Sequence, residues 1–450
     1  MALQAPPPAG LTHVLPAVPP AAVLTLPVLQ QEATPALLNA PPGTSMKPMV
    51  VGLQRALPNS ASAEATAALW HWQVTAQGEQ VATLGVVVPG ALGLRLGVWV
   101  QALPAGAWLR SYGPQGLVGQ VSAAQLQAQA ERNRQGGAQG QEAETYWSPD
   151  SGGEQVTLEL TVPPGAERSA VRVAVPQLSQ RWRSDAPAQT LASPSPGPSY
   201  TTKAQSAGGC NLDATCSPEY LAQSRSVARL EFVEFGSTLT CTGTLLNDAL
   251  SSGTPYVLTA AHCVNRQSVA STLVSDWFYR SSACQAQALS PATRRLTQGA
   301  TLVYANEDTD VALLRLNEPA PAGVVYAGSY FGTPAALGTP LYTLHHPQGD
   351  WQKISLGQLD SYQRCTQGGD VCNLSPSVEQ ANFLRVRWQR GVVEPGSSGS
   401  ALFLSLQARP YVVGQLQGGS SSCDSPQGLD DYGRFDVSYR SALYRWLDPR

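Results

Sequence analysis

Apolar and polar residues alternate with period two along much of the chain, the spacing of strands buried on one face. Residues 69–75, 80–88 and 92–103 carry this pattern, with turn signals at Gln77-Gly78 and Pro89-Gly90 between them. Residues 154–162 and 170–175 repeat it. Residues 122–134 (SAAQLQAQAERNR) instead predict a helix, with Ser122 as its N-cap. From Val227 to Phe435 short apolar strands alternate with turns, and residues 439–447 predict an amphipathic C-terminal helix. Residues 1–47 are rich in Ala, Pro and Leu with no clear period, which predicts an extended arm. Pro, Ser, Ala and Gly dominate residues 184–209, which predicts an exposed, cleavable linker. The pattern thus divides the chain into an arm (1–47), a mostly-β domain (48–183), a linker (184–209) and a second β-rich domain (204–450). No internal repeat of fixed period interrupts this order.

Composition narrows the possible partners. Charged residues make up 13% of the 450 and the net charge is −3, which excludes a nucleic-acid surface or a polybasic membrane patch. No stretch approaches the ~18–20 consecutive apolar residues of a membrane span. Residues 14–29 are apolar but broken by Pro16, Pro19, Pro20 and Pro27. The eight cysteines, Cys210, Cys216, Cys241, Cys263, Cys284, Cys365, Cys372 and Cys423, all lie in the second half. An even count without C-x-x-C spacing reads as a disulfide framework in an oxidising compartment. Zinc is the competing reading, but no Cys/His group has metal-ligand spacing, so neither metal nor cofactor is expected. A secreted protein should carry a leader. The first Lys or Arg is Lys47, so no basic n-region opens the chain, and removal of a leader is the expectation.

Three short stretches carry chemistry. Glu394-Pro395-Gly396-Ser397-Ser398-Gly399-Ser400 surrounds one hydroxyl with small residues, and an apolar run follows. Glycine lets the backbone turn tightly and bring N–H groups to a reacting carbonyl. A serine hydroxyl needs a base, and Thr259-Ala260-Ala261-His262-Cys263 supplies a candidate. Between them Asp308-Thr309-Asp310 opens the run Val311 to Leu316, offering two acids. The order His, Asp, Ser is that of chymotrypsin-type enzymes, and G-x-S-G-S is not a nucleophile elbow. A serine in a Gly/Ser turn, or a histidine before a cysteine, is by itself ordinary packing. Three such contexts in one order are not. His345-His346 tempts as a metal pair, but neighbours on a strand face opposite ways, so a structural role is expected. His71, between Trp70 and Trp72, reads as packing or surface.

Over about residues 210–450 these motifs resemble the trypsin/chymotrypsin-like serine proteases, and more narrowly the secreted bacterial lysyl endopeptidases. The narrower resemblance rests on EPGSSGS at 394–400, HHPQGD at 345–350 with Lys353 following, and Gly414-Gln415-Leu416 before Gly418-Gly419. Ser421-Ser422-Cys423 and Tyr432-Gly433-Arg434 add to it. Residues 91–95 (ALGLR) and 146–149 (YWSP) resemble that family's propeptide. The resemblance implies an all-β fold, a chymotrypsin-like double β-barrel preceded by a mostly-β propeptide domain. It implies His262 as general base and Asp310, rather than the rival Asp308, as its orienting acid. Ser398 would be the nucleophile, with the N–H groups of Gly396 and Ser398 as oxyanion hole. It also implies the bridges Cys210–Cys423, Cys216–Cys284 and Cys241–Cys263. Cys365 and Cys372 depart from the family pattern and are expected to form a further, local bridge closing a short loop.

Specificity follows from the same resemblance. In trypsin the acid that binds a basic side chain lies six residues before the nucleophile; here Val392 stands there. The lysyl endopeptidases take it from the segment leading to Tyr-Gly-Arg, which implies Asp430, with Asp431 as second candidate. Gln417 and Gly418 would line the substrate-binding edge, and Gln417 departs from the histidine common in the family. Of the 28 basic residues only Lys47, Lys203 and Lys353 are lysines. Lys47 precedes a proline, whereas Lys203 sits in the linker just before Cys210. Codon bias accounts for the scarcity of lysine but not for this placement, so self-cleavage at Lys203–Ala204 is expected. Trypsin-like zymogens switch on when the new N-terminus pairs with an Asp just before the nucleophile. Ser397 cannot form that pair, so activation should depend on the N-terminal half leaving the cleft, or on its help in folding. The expected protein is a secreted, monomeric serine endopeptidase precursor acting on proteins or peptides, with its own propeptide as inhibitor or folding aid. Arginine or dual specificity, and a catalytically silent disulfide-bonded binding protein, are the alternatives.

Overall fold

A computed structural model describes the chain at residues 16, 19–28, 48–181, 207–366, 369 and 371–449. The processing site expected at Lys203–Ala204 lies outside the described residues. The chain divides into two compact units.

The first unit is built on two antiparallel ladders. One runs in the order Gln80–Val87, Gln155–Val162, Trp108–Gly113, Gly116–Ser122, and Gln73–Val74 also pairs with Gln80–Val87. The other runs from residues 52–56 of the strand Met49–Ala56 through Arg172–Arg181 and Gly93–Ala102 to Thr145–Trp147. Leu84, Val86, Leu94, Leu96, Leu158, Leu160, Val175 and Leu178 form its core, fully buried. The helix Ala123–Gln135 begins in a capping box, with Ser122 and Gln125 each bonding the other's backbone N–H.

Two local expectations are corrected. Part of the arm, Ala22–Thr25, is a strand paired parallel to Leu84–Val87. Residues 69–72 are not strand. Ser62 caps the helix Ala63–Ala67, and the N–H groups of Leu69 and Trp70 bond back to Thr66 and Ala67, so they cannot join a ladder.

The second unit contains two barrels. In the first, β1 (Val227–Glu234), β2 (Ser237–Leu246), β3 (Tyr256–Ala260), β4 (Val274–Trp277), β5 (Ala300–Asn306) and β6 (Val311–Leu316) run in the order β4-β1-β2-β3-β6-β5. In the second, β7 (Pro340–His345), β8 (Lys353–Cys365), β9 (Phe383–Arg390), β10 (Ala401–Leu406), β11 (Arg409–Gly419) and β12 (Leu429–Arg434) close completely. Their order is β7-β10-β11-β12-β9-β8, and β8 returns to β7. Closure removes the unpaired edges. Each barrel has its own core, around Leu230, Phe232, Leu245 and Trp277 in one and Leu384, Val386, Leu402 and Leu416 in the other. A third cluster, including Leu258, Leu313, Leu344, Phe403 and Val412, lies between them and takes in Phe435, Leu443 and Leu447 of the C-terminal helical run. That run begins at Phe435, four residues before the predicted start, and its middle turn, Tyr439–Leu443, is a π-helix.

All eight cysteines pair, as Cys210–Cys423, Cys216–Cys284, Cys241–Cys263 and Cys365–Cys372. The first three are the bridges the family resemblance implies, and Cys365–Cys372 is the further local pair, closing a short loop.

Candidate active site

His262 follows the end of β3, and Asp310 directly precedes β6. Strands β3 and β6 are paired with Ala260 opposite Val311, so the ladder itself brings the two side chains together. Asp310 Oδ2 lies 2.6 Å from His262 Nδ1, and Oδ1 accepts the His262 backbone N–H at 2.9 Å. The carboxylate fixes the tautomer: Nδ1 carries the proton and Nε2 keeps a lone pair. Asp310 is buried with φ +51°, a left-handed conformation that Asp tolerates at a cost of order 1 kcal/mol. Tertiary bonds hold it there. Its carbonyl accepts from Ala261 N–H at 2.9 Å, and Gln415 Nε2 on β11 donates to the Thr309 carbonyl at 2.6 Å. Asp308 is exposed, and its own N–H bonds to Asn306. Of the two candidate acids, only Asp310 meets the histidine.

Ser398 arrives from the second barrel, in the turn before β10. Gly396 has φ +93°, and a side chain there would press on the His346–Gly349 turn. Gly399 has φ +80°, and a Cβ on it would lie 2.2 Å from Thr259 Oγ1. Only glycine lets the turn seat this closely on both neighbours. Thr242 of β2 ties the turn to the first barrel: its N–H donates to the Ser398 carbonyl at 2.8 Å and its hydroxyl to the Gly396 carbonyl at 3.0 Å. The N–H groups of Gly396 and Ser398 have no acceptor within the described protein, leaving two free donors on one turn. Ser398 Oγ and His262 Nε2 are also buried and unpaired. The hydrogen bond between them is not formed in this structure.

Asp430, on β12, is fully buried. Trp388 Nε1–H on β9 donates to its Oδ2 at 2.5 Å, and the Ser421 N–H to its Oδ1 at 3.2 Å. No cation pairs with it among the described residues, and burial pushes its carboxyl up to about 7. The Ser421 hydroxyl bridges to the backbone of Val393, tying the Asp430 segment to the strand of chain that leads into Ser398.

Comparison with known proteins gives these side chains a context. Residues 204–433 match the lysyl endopeptidase C-terminal domain, and residues 25–181 the lysyl endopeptidase N-terminal domain. A lysyl endopeptidase of Pseudomonas aeruginosa is 30% identical over 439 residues, covering 94% of this chain and 86% of its relative. The chain belongs to the lysyl endopeptidase family. It is a serine endopeptidase of the trypsin-like class. Solved structures are more distant. An HtrA-type protease with a tripeptide is similar at TM-score 0.36 and 16% identity, over 52% of this chain and 64% of that one. The Rv3671c protease of M. tuberculosis, in its active form, is similar at TM-score 0.34 and 18% identity, over 52% and 86%. These likenesses are too slight to add to the family assignment.

Within this lysyl endopeptidase fold, the second acid candidate is corrected. Asp431 is held by Arg385 in a fork of 2.8 and 2.7 Å, so its charge is already spent on a neighbour and cannot serve a substrate cation. Gln417 and Gly418 sit at the bulge where β11 meets β12: Leu416 pairs with Tyr432 and Gly418 with Asp431, leaving Gln417 as the extra residue. Gln417 is buried beneath Gly369 of the loop closed by Cys365–Cys372. The only His/Cys cluster among the described residues with ligand spacing is Cys241, His262 and Cys263, and the disulfide removes both thiolates. Thr242 and Trp388 escaped the sequence reading, and Gln415 entered it only as part of a family motif, with no partner assigned. Each is an ordinary strand residue whose partner lies far off in the chain, so nothing nearby marks its role.

Proposed function

We propose that this endopeptidase cleaves on the carboxyl side of lysine, is secreted, and matures itself by cutting Lys203–Ala204. The observation that carries lysine preference is Asp430, a fully buried carboxylate with donors but no cation. A substrate ammonium would supply the missing charge, and its ionisation would be favoured when bound. An ammonium is also a compact point charge that needs only one open face of the acid.

The chemistry assigned to the site balances without a cofactor. His262 Nε2 takes the proton of Ser398 Oγ as the oxygen bonds to the scissile carbonyl carbon. The resulting oxyanion is held by the N–H groups of Gly396 and Ser398. The imidazolium, stabilised by Asp310, gives its proton to the leaving amine as the C–N bond breaks. Water then repeats the sequence on the acyl-enzyme and frees the carboxylate product.

Proteins and peptides are the substrates of this reading, and the 25–181 domain is its inhibitor or folding aid, with the mature enzyme a monomer. Four disulfides and the family support an extracellular setting. Intact-mass analysis of the purified chain over time, beside Ser398→Ala, tests self-processing: loss of residues 1–203 from the wild type alone is expected. Matched substrates with Lys, Arg or norleucine before the cut test specificity. Equal rates on Lys and Arg would replace the lysine reading with a dual one.

A further inference from the structure

The residue before the nucleophile is anchored by a buried histidine. Ser397 is fully buried, and its hydroxyl lies 2.7 Å from Nδ1 of His345, the last residue of β7. His345 Nε2 lies 3.2 Å from the hydroxyl of Ser355 on β8, and that hydroxyl lies 2.7 Å from the Val392 carbonyl. The proton positions follow from the last acceptor. A carbonyl can only accept, so the Ser355 hydroxyl donates to Val392. Ser355 then accepts from His345 Nε2–H, and His345 Nδ1 must accept the Ser397 hydroxyl proton. Burial keeps the ring neutral, so the relay has one direction. Glu394 N–H closes it by donating to Ser397 Oγ at 3.3 Å.

The two ends of this relay, Val392 and Ser397, flank residues 393–396, and Ser398 follows directly on Ser397. Ser397 also fixes the turn through its backbone: its N–H bonds to the Glu394 carbonyl and its carbonyl accepts from Ser400 N–H, both at 3.0 Å. We propose that His345, through Ser397, is a positioning residue that holds the Gly396 and Ser398 N–H groups in register for the oxyanion. The relay runs wholly inside the second barrel. The groups facing His345 are His346, Lys353 across the strand pair, and the Ser355 and Ser397 hydroxyls. Burial, with the neighbouring His346 and Lys353, keeps His345 neutral, its ring pushed down to about 3.

This inference rests on Ser398 as nucleophile, so Ser398→Ala is the first control; residual wild-type activity there would remove the nucleophile reading and this one with it. Full-length chains carrying Ser397→Ala, His345→Leu or His345→Asn are matured with a trace of tagged wild-type enzyme, which is then withdrawn. Each is assayed on a lysyl peptide amide and against two inhibitors, a peptidyl aldehyde and the corresponding alcohol. The aldehyde forms a tetrahedral oxyanion on the serine, whereas the alcohol does not. Loss of an oxyanion donor costs about 10²–10³ in kcat, and misplacing both should cost a comparable amount. The expected result is kcat reduced about thirtyfold or more in Ser397→Ala and His345→Leu, with KM and alcohol Ki within about threefold and aldehyde Ki raised in step with the loss in kcat. His345→Asn, which keeps one acceptor and one donor, should recover about tenfold of the Leu loss, and the double variant should be no worse than the poorer single. Wild-type kcat in Ser397→Ala overturns the proposal. So does a loss in which alcohol and aldehyde weaken together, which marks general damage to the cleft.

Discussion

Trp388 donates its indole N–H to Oδ2 of Asp430 across 2.5 Å, and both side chains are buried. The ring is held by its surroundings, with Gly357 beneath one edge and Tyr432 packed edge-on 6.2 Å away. The acid is thus presented in one orientation, with part of its acceptor capacity occupied. Hydrogen bonds to charged groups contribute about 1.5–3 kcal/mol. Trp388→Phe should therefore raise KM for lysyl substrates about tenfold or more while leaving kcat nearly unchanged. Asp430→Asn should lower kcat/KM for lysine about a hundredfold or more and leave a norleucine substrate largely unaffected. An unchanged Lys-to-norleucine ratio in Asp430→Asn would remove Asp430 from the specificity pocket.

The same carboxyl makes affinity depend on pH. A cationic side chain pairs with the ionised acid, and Asp430 without a ligand keeps its proton up to about pH 7. Binding of an alkylamine inhibitor should strengthen as pH rises through 7 and then level off. The sign for folding is opposite. An aspartate that ionises near 3.9 when unfolded but near 7 when folded disfavours the folded state as pH rises across that window. Inhibitor Ki measured from pH 5 to 9 checks the first effect; a flat profile would contradict it.

Asp310 and Asp308 separate cleanly by mutation. Asp310→Asn should reduce kcat about 10⁴-fold, because an amide at 2.6 Å from Nδ1 favours the wrong tautomer. Asp308→Asn, on an exposed side chain, should stay within about twofold. Steady-state kinetics on the two variants decides the assignment.

Two buried histidines should make the catalytic unit acid-labile. Burial holds both His345 and His346 down to about 3. An unfolded chain takes up these protons near pH 6.5, the folded one far lower. Their contribution to stability is present above about 6.5 and declines as pH falls below it, by up to about 1.4 kcal/mol per pH unit for each histidine. Thermal melts from pH 8 to 4 should show a falling Tm, and His346→Asn should flatten the slope.

Cys210–Cys423 joins the start of the catalytic unit to the segment that positions Asp430. Cys423 lies two residues after Ser421, whose N–H bonds Asp430. Replacing both cysteines by serine should destabilise by about 2–5 kcal/mol. At a temperature where the variant is folded, KM for lysine should rise more than kcat falls. Equal loss in both would show that the bridge does not shape this pocket.

The sequence by itself singled out the candidate chemistry-bearing parts. Ser398, His262 and Asp310 lie in local contexts where composition is the constraint: glycines for a tight turn, a strand end before the histidine, an apolar run after the acid. The N-cap at Ser122 was readable for the same reason, since the groups it bonds lie within four residues of chain. The strand Ala22–Thr25 was hidden, because its partner, Leu84–Val87, lies 62 residues further along the chain. Only the tertiary structure separated Asp430 from Asp431. The two are adjacent and chemically identical, yet strand alternation turns one toward Trp388 and Ser421 and the other toward Arg385. It likewise gave His345 its hydrogen-bond relay and Thr242 its hold on the Ser398 turn. Hydrogen bonds between distant strands depend on register and barrel closure, and a linear pattern of residue types specifies neither.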